Sequence, residues 1–173
     1  MSENAKIKSA IDRVIKTLIQ KPSFGLDTRI SKATITNGLT CEIQEGNWKF
    51  TADMPEQVGG NAAGPTPGVY GRAAFGSCLA IGYMMRAAQL GININSLEVE
   101  VQADYDDGAL LGTSTTPPGY SEVRYSVTVD SDASQEEIMR MLDEADAHSP
   151  YLDVFSRAQK CIRKVHIVSE KPH

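Results

Sequence analysis

Residues 64–92 read GPTPGVYGRAAFGSCLAIGYMMRAAQLGI. Thr66 is suited to cap a helix, Pro67 to open it, and Gly91 to end it in a left-handed conformation with Ile92 just beyond. The stretch therefore predicts a helix from Pro67 to Leu90. Its apolar residues, among them Val69, Ala73, Phe75, Leu79, Ile81, Met84 and Ala88, are spread nearly all the way round. A helix of that kind is expected to be enclosed by protein and so to lie at the centre of the fold. Gly68, Gly71, Gly76 and Gly82 each cost about 1 kcal/mol relative to alanine, a cost that close approach of another backbone or of a ligand would offset. Cys78 sits at the middle of this helix.

Upstream, the period changes. Thr28–Thr36 is rich in β-branched residues, Asn37-Gly38 is a two-residue hairpin turn signal, and Leu39–Ile43 alternates. Glu45-Gly46-Asn47 is a second turn and Trp48–Ala52 alternates again, which predicts a three-stranded antiparallel meander with Cys41 packed beside Leu39 and Ile43. Residues 54–66 lack periodicity and read as a loop. Before all of these, residues 4–21 place Ile7, Ile11, Val14, Ile15, Leu18 and Ile19 on one helical face, and Pro22 and Gly25 end the run. This predicts an N-terminal helical arm (1–25) preceding a domain over 26–173, packed on that domain or on a second copy of it.

Downstream, Leu97–Ala103 alternates, Asp106-Asp107-Gly108 turns, and Val123–Val129 alternates again. Ser134 and Glu137 form a capping box opening a helix with Ile138, Met141, Leu142 and Ala145 on one face. Ser149-Pro150 breaks it and starts a short helix through about Gln159, and a final strand is expected over Cys161–Val168. The tail Ser169–His173 has no pattern. The order α–βββ–α–ββ–αα–β segregates strands from helices, so the fold class is α+β with a largely antiparallel sheet.

The chain has 173 residues, a net charge of −5 and 41% hydrophobic residues, as expected of a soluble globular domain. Mild acidity and 6% aromatics argue against a nucleic-acid partner, and no apolar run reaches membrane-spanning length. The first residues lack the pattern of a signal peptide, so a cytoplasmic location is expected. Cys41, Cys78 and Cys161 form neither CxxC nor a disulfide framework, and His148, His166 and His173 lack metal-ligand spacing; neither metal nor cofactor is expected. Both phosphate-loop patterns fail, because Gly59–Gly64 lacks the G-x-G element and Ser77-Cys78 follows Gly76 where a P-loop needs lysine.

Cys78 is the one residue whose position poses a chemical question. A thiol reacts as thiolate, and a helix dipole helps only over the first turn, whereas Cys78 lies about three turns in. Its helical neighbours Ala74, Phe75, Ile81 and Gly82 cannot stabilise a negative charge, so activation has to come from elsewhere in the fold or from another subunit. An inert packed thiol is the alternative.

The run Gly64-Pro65-Thr66-Pro67, the glycine- and alanine-rich helix reaching Ser77-Cys78, Leu90-Gly91-Ile92, the two alternating segments and Ala147-His148-Ser149-Pro150-Tyr151 together resemble the OsmC and organic hydroperoxide resistance (Ohr) family over residues 28–168. The resemblance implies an intertwined homodimer with two active sites at the subunit interface, reducing organic hydroperoxides through a peroxidatic cysteine, here Cys78, in defence against oxidative stress. It implies a glutamate directly after the helix-opening proline, where this chain has Gly68, and a resolving cysteine before a later proline, where it has Ser149. The family's arginine would fall near Asn37. Arg29, Arg72 and His148 are candidate substitutes for that cation, and Cys41 or Cys161 for the resolving thiol; an external thiol reductant could also serve. A non-catalytic homodimer that binds an apolar small molecule in the interface pocket, lined by residues such as Tyr70, Phe75, Tyr83 or Met84, is the alternative function.

Overall fold

A computed structural model describes residues 2–168. Helix α1 (Glu3–Gln20) is capped by the Ser2 hydroxyl, which accepts from the Ala5 amide. Strands β1 (Lys32–Thr34), β2 (Cys41–Glu45) and β3 (Trp48–Ala52) form an antiparallel sheet in the order β1-β2-β3. Helix α2 (Pro67–Leu90) follows, then β4 (Ser96–Asp104), a single turn α3 (Asp107–Leu110), β5 (Glu122–Asp130), α4 (Gln135–Asp146) and α5 (Pro150–Ser156). Strands β4 and β5 pair antiparallel over their whole length, from Ser96 opposite Asp130 to Asp104 opposite Glu122. The class is α+β with antiparallel sheets, as the pattern of elements requires.

The ends of α2 fall where the caps put them. The Ile92 amide donates to the Ala87 carbonyl and Gly91 to Ala88, with Gly91 at φ +74°, so two carbonyls of the last turn are satisfied. The capping box of α4 is formed too: the Glu137 amide donates to the Ser134 hydroxyl, and the Ser134 amide to the Glu137 carboxylate.

The core lies where α2 crosses sheet β4–β5. Phe75, Leu79, Tyr83 and Ala87, four residues apart, are fully buried, and Met141 and Ala145 of α4 close over them. Inward residues of the sheet, including Val99, Val101, Tyr125 and Val127, complete the packing. At Gly76 the helix comes close to β4: an added Cβ would lie 3.2 Å from a Val101 methyl and 3.9 Å from the Val99 carbonyl. That close approach is what the missing side chain allows. Tyr83 and Tyr125 donate to the two carboxylate oxygens of Asp146 at 2.7 and 2.9 Å, which joins α2, β5 and α4 by a polar knot beside the core. Burial first, and then the Asp146 carboxylate, hold the Tyr83 phenol well above its usual pKa.

Five expectations need correcting. The helix α2 is not enclosed on all sides within its own chain, since Val69, Ile81 and Met85 are exposed, Ile81 at 62%. No strand forms over Cys161–Val168 among the described residues: a strand needs a ladder partner, and these residues have none in this chain, with Ile167 at 89% exposure. The first strand shrinks to Lys32–Thr34, with a loop at 35–40 in place of a two-residue turn, and α5 ends at Ser156, three residues early. The Asp106–Gly108 turn opens α3, capped by the Asp106 carboxylate, which accepts from the Gly108 amide. The patternless tail Ser169–His173 lies outside the described residues.

Because Phe75 stacks on Phe155 at 4.7 Å and meets Tyr125 edge-on at 5.6 Å in a dry site, Phe75→Ala is expected to destabilise the fold by about 3–5 kcal/mol. Urea unfolding followed by circular dichroism measures it. A loss below about 1 kcal/mol would mean that this contact is not at the centre of the core.

Candidate functional site

Cys78 stands one turn after Phe75, on the flank of the buried stripe, where it is neither sealed in nor fully open. All three cysteines are free: Cys41 is half-buried in β2, opposite Ala52, and Cys161 is exposed beyond α5. The two other positions of interest are at helix starts. Gly68 is the second residue of α2, and Ser149 caps α5, its hydroxyl accepting from the Leu152 amide at 3.3 Å. Helices α2 and α5 pack together.

The space beside Gly68 is occupied by a cation. An added Cβ would meet the Arg72 guanidinium at 3.3 Å and the Tyr120 hydroxyl at 3.7 Å. Arg72 donates to the Tyr120 oxygen at 3.4 Å, and Tyr120 donates to the Gly68 carbonyl at 3.3 Å. Tyr120 in turn stacks on Phe155, which stacks on Phe75. An aromatic row thus runs from the head of α2 through α5 to the turn that carries Cys78.

The other candidate cations lie elsewhere. Arg29 is exposed and paired with Asp27 at 2.6 Å. Nδ1 of the exposed His148 lies 2.9 Å from the Glu144 carbonyl, an interaction at the end of α4. Asn37 sits in the loop between β1 and β2. Of Tyr70, Phe75, Tyr83 and Met84, Phe75 and Tyr83 are core, whereas Tyr70 donates to the Thr51 carbonyl at 2.7 Å and meets Phe50 edge-on.

Sequence reasoning missed Asp53, which is 1% exposed and shapes the entry to α2. Its carboxylate accepts from the Thr40 hydroxyl at 2.8 Å and from the amides of Met54, Asn61 and Ala63 at 2.7, 3.3 and 3.2 Å. One side chain therefore gathers the otherwise patternless loop 54–63. Burial alone would raise its pKa, but the hydroxyl and the three amides outweigh burial and hold the carboxyl below its usual 3.8. The signal that could have found it is an aspartate directly after a strand and before a polar, glycine-rich loop, where such side chains bond nearby amides. Tyr120 was missed because it meets Arg72 from 48 residues away.

A half-buried thiol on the flank of a central helix whose head carries an arginine, in an α+β fold of antiparallel sheets, describes a class of thiol-bearing domain. Residues 59–162, more than half of the chain, match the family model described as OsmC-like protein, and the chain belongs to that family. An OsmC-like protein from Mycoplasma pneumoniae superposes with a TM-score of 0.63 at 18% identity, covering 75% of this chain and 88% of that one. An organic hydroperoxide resistance protein OsmC from Legionella pneumophila gives 0.56 at 19%, covering 75% and 90%. One from Elizabethkingia anophelis gives 0.56 at 17%, covering 74% and 87%. At these identities the likeness is one of fold. By sequence alone, no curated protein matches the chain.

Two outcomes test this geometry. The ionised form of Asp53 stabilises the fold above its unfolded pKa near 3.8, and that contribution is lost as pH falls through its lower folded value. Asp53→Asn is therefore expected to be less stable at neutral pH but to show a flatter loss on acidification, in urea melts between about pH 2 and pH 7. Equal acid limbs would remove Asp53 from the account. At the head of α2, Gly68→Glu places a carboxylate by Arg72 four residues on and by the helix N-terminus, and should stabilise by about 0.5–1 kcal/mol. Destabilisation would show that Arg72 and Tyr120 need the space beside Gly68.

Proposed function

We propose that the chain reduces organic hydroperoxides as a homodimer, with Cys78 as the reacting thiol and an external thiol as reductant. The observation that carries this reading is the position of Cys78, half-buried on the flank of α2 inside the OsmC-like stretch. A thiol sealed in the core could not meet a substrate, and a wholly exposed one would not be held in orientation. The Cys78 thiolate attacks the distal peroxide oxygen, the O–O bond breaks, and the leaving alkoxide takes a proton to give the alcohol. Cys78 becomes a sulfenic acid. One external thiol condenses with it to a mixed disulfide, releasing water, and a second attacks that disulfide at the reductant's sulfur, which frees the Cys78 thiol and leaves the two reductant sulfurs joined as a disulfide. The aromatic row beside α2 supports an apolar substituent on the peroxide. An external reductant is called for because Ser149, which cannot form a disulfide, spends its hydroxyl on capping α5.

The homodimer is supported by what one chain leaves open. Sheet β1–β3 shows Trp48 and Phe50 to solvent, β4–β5 pairs with no third strand among the described residues, and Ile162, Val165, Ile167 and Val168 are exposed. No residue of the same helical flank within one turn of Cys78 is charged, so the cation that stabilises its thiolate comes from beyond that flank. Three free cysteines suit a reducing, cytoplasmic setting.

A second reading is favoured by Gly68 and Ser149: a dimer that has kept the scaffold and binds an apolar small molecule. The two separate in one experiment. Organic hydroperoxide consumption with excess dithiol is expected from the wild type and lost at least a hundredfold in Cys78→Ser, with sulfenic acid trapped at Cys78 by mass spectrometry. Equal consumption by both proteins, or none by either, sinks the peroxidase reading. Thermal shifts with fatty acyl and aromatic compounds then test the second.

A further inference from the structure

Two apolar surfaces of this chain lack a partner among the described residues. The first is the far half of α1. Its near half is docked: Asn4, Ile7, Ala10 and Ile11 are half-buried, Asn4 donates its side-chain amide to the Ile92 carbonyl at 3.3 Å, and Lys8 donates to the Gln89 carbonyl at 3.1 Å. From residue 12 through 39 every residue is exposed. The apolar stripe does not stop there, however. Ile7 and Ile11 continue into Val14, Ile15, Leu18 and Ile19 at helical spacing, and Ile19 is 75% exposed. The second surface is a groove of about 490 Å³ at the root of the same helix, lined by Ile7, Ile81, Met84, Met85, Ile94 and Leu97.

The tip of α1 cannot fill its own groove. At 1.5 Å per residue an unbroken helix holds Ile19 about 18 Å along the axis from Ile7, which already forms the groove wall. A second copy can fill it, and two-fold symmetry then fills both grooves at once, each tip seated on the other chain. Charge favours the same arrangement. Residues 1–21 carry five basic and two acidic side chains, a net +3, which leaves −8 on the remainder of a chain whose total is −5. The stripe is also continuous with the α1–α2 packing already made within the chain.

We propose that α1 is an intersubunit clasp: the Val14–Ile19 stripe of one copy lies in the Ile81–Met85–Leu97 groove of the other. This inference rests on the homodimer proposed above and adds to it a contact made by residues that precede the OsmC-like stretch. The clasp lies over the outer face of the helix that carries Cys78, so the arm ties the two cysteine-bearing helices to each other's chains.

The test uses the full-length chain. Leu18→Asp/Ile19→Asp, at exposed positions, is compared with wild type by sedimentation over a dilution series, with far-ultraviolet circular dichroism to confirm folding. The dimer dissociation constant is expected to rise at least tenfold. In parallel, differently tagged chains carrying Ile19→Cys or Met85→Cys, each with Cys41→Ser, Cys78→Ser and Cys161→Ser, are mixed and oxidised, and a disulfide between the two tags is expected. A wild-type dimer whose dissociation constant is unchanged in the double variant, with no disulfide between tags, overturns the clasp and leaves the dimer standing. A wild type that is monomeric at every concentration overturns both.

Discussion

Phe75, Leu79, Tyr83 and Ala87 recur at every fourth residue of α2, and water is excluded from all of them by β4–β5 and α4, with α5 against Phe75. Each large side chain in that stripe contributes about 1.5–3 kcal/mol by leaving water. Without it the two-stranded ladder β4–β5 would have nothing to lie on, since an isolated pair of strands is marginal in water. The polar knot of Tyr83, Tyr125 and Asp146 adds direction to this burial: hydrogen bonds have an angle and a length, which apolar contact lacks, so the three elements meet in one register.

The same helix has to serve a second purpose. Cys78 stands beside the buried stripe, close enough to be oriented by it and far enough round to face away from the densest packing. The head of the helix shows a comparable division. Where the family's pattern has a glutamate, Gly68 leaves room into which Arg72 folds back, and Tyr120 joins the two to the aromatic row. Where the pattern has a second cysteine, Ser149 starts a helix instead. Both departures leave local structure well satisfied, which is why neither disturbs the fold.

What could be read from the sequence was whatever is set by neighbours along the chain. The limits of α2 followed from Thr66, Pro67 and Gly91, the start of α4 from Ser134 and Glu137, and β4 and β5 from strict alternation. What failed depended on distant or missing partners. Residues 161–168 read as a strand, but a strand exists only when something completes its ladder. The all-round apolar character of α2 describes an environment that one chain does not supply. In the site, Cys78 stood out by its place at the middle of α2, whereas Gly68 and Ser149 were legible only through the family resemblance. Arg72 with Tyr120, and Asp53 with its four donors, arise from contacts that no local pattern announces.

Trp48, the only tryptophan of the chain, lies on β3 at 72% exposure, well away from the Phe75–Tyr83 stripe. Indole emission from this protein is therefore blind to the core. It would stay that of a water-exposed tryptophan while α2 unpacks, and would shift to the blue when something covers the meander. Emission colour and circular dichroism would then report different events, and their lack of coincidence would describe the placement of one side chain, with no folding intermediate implied.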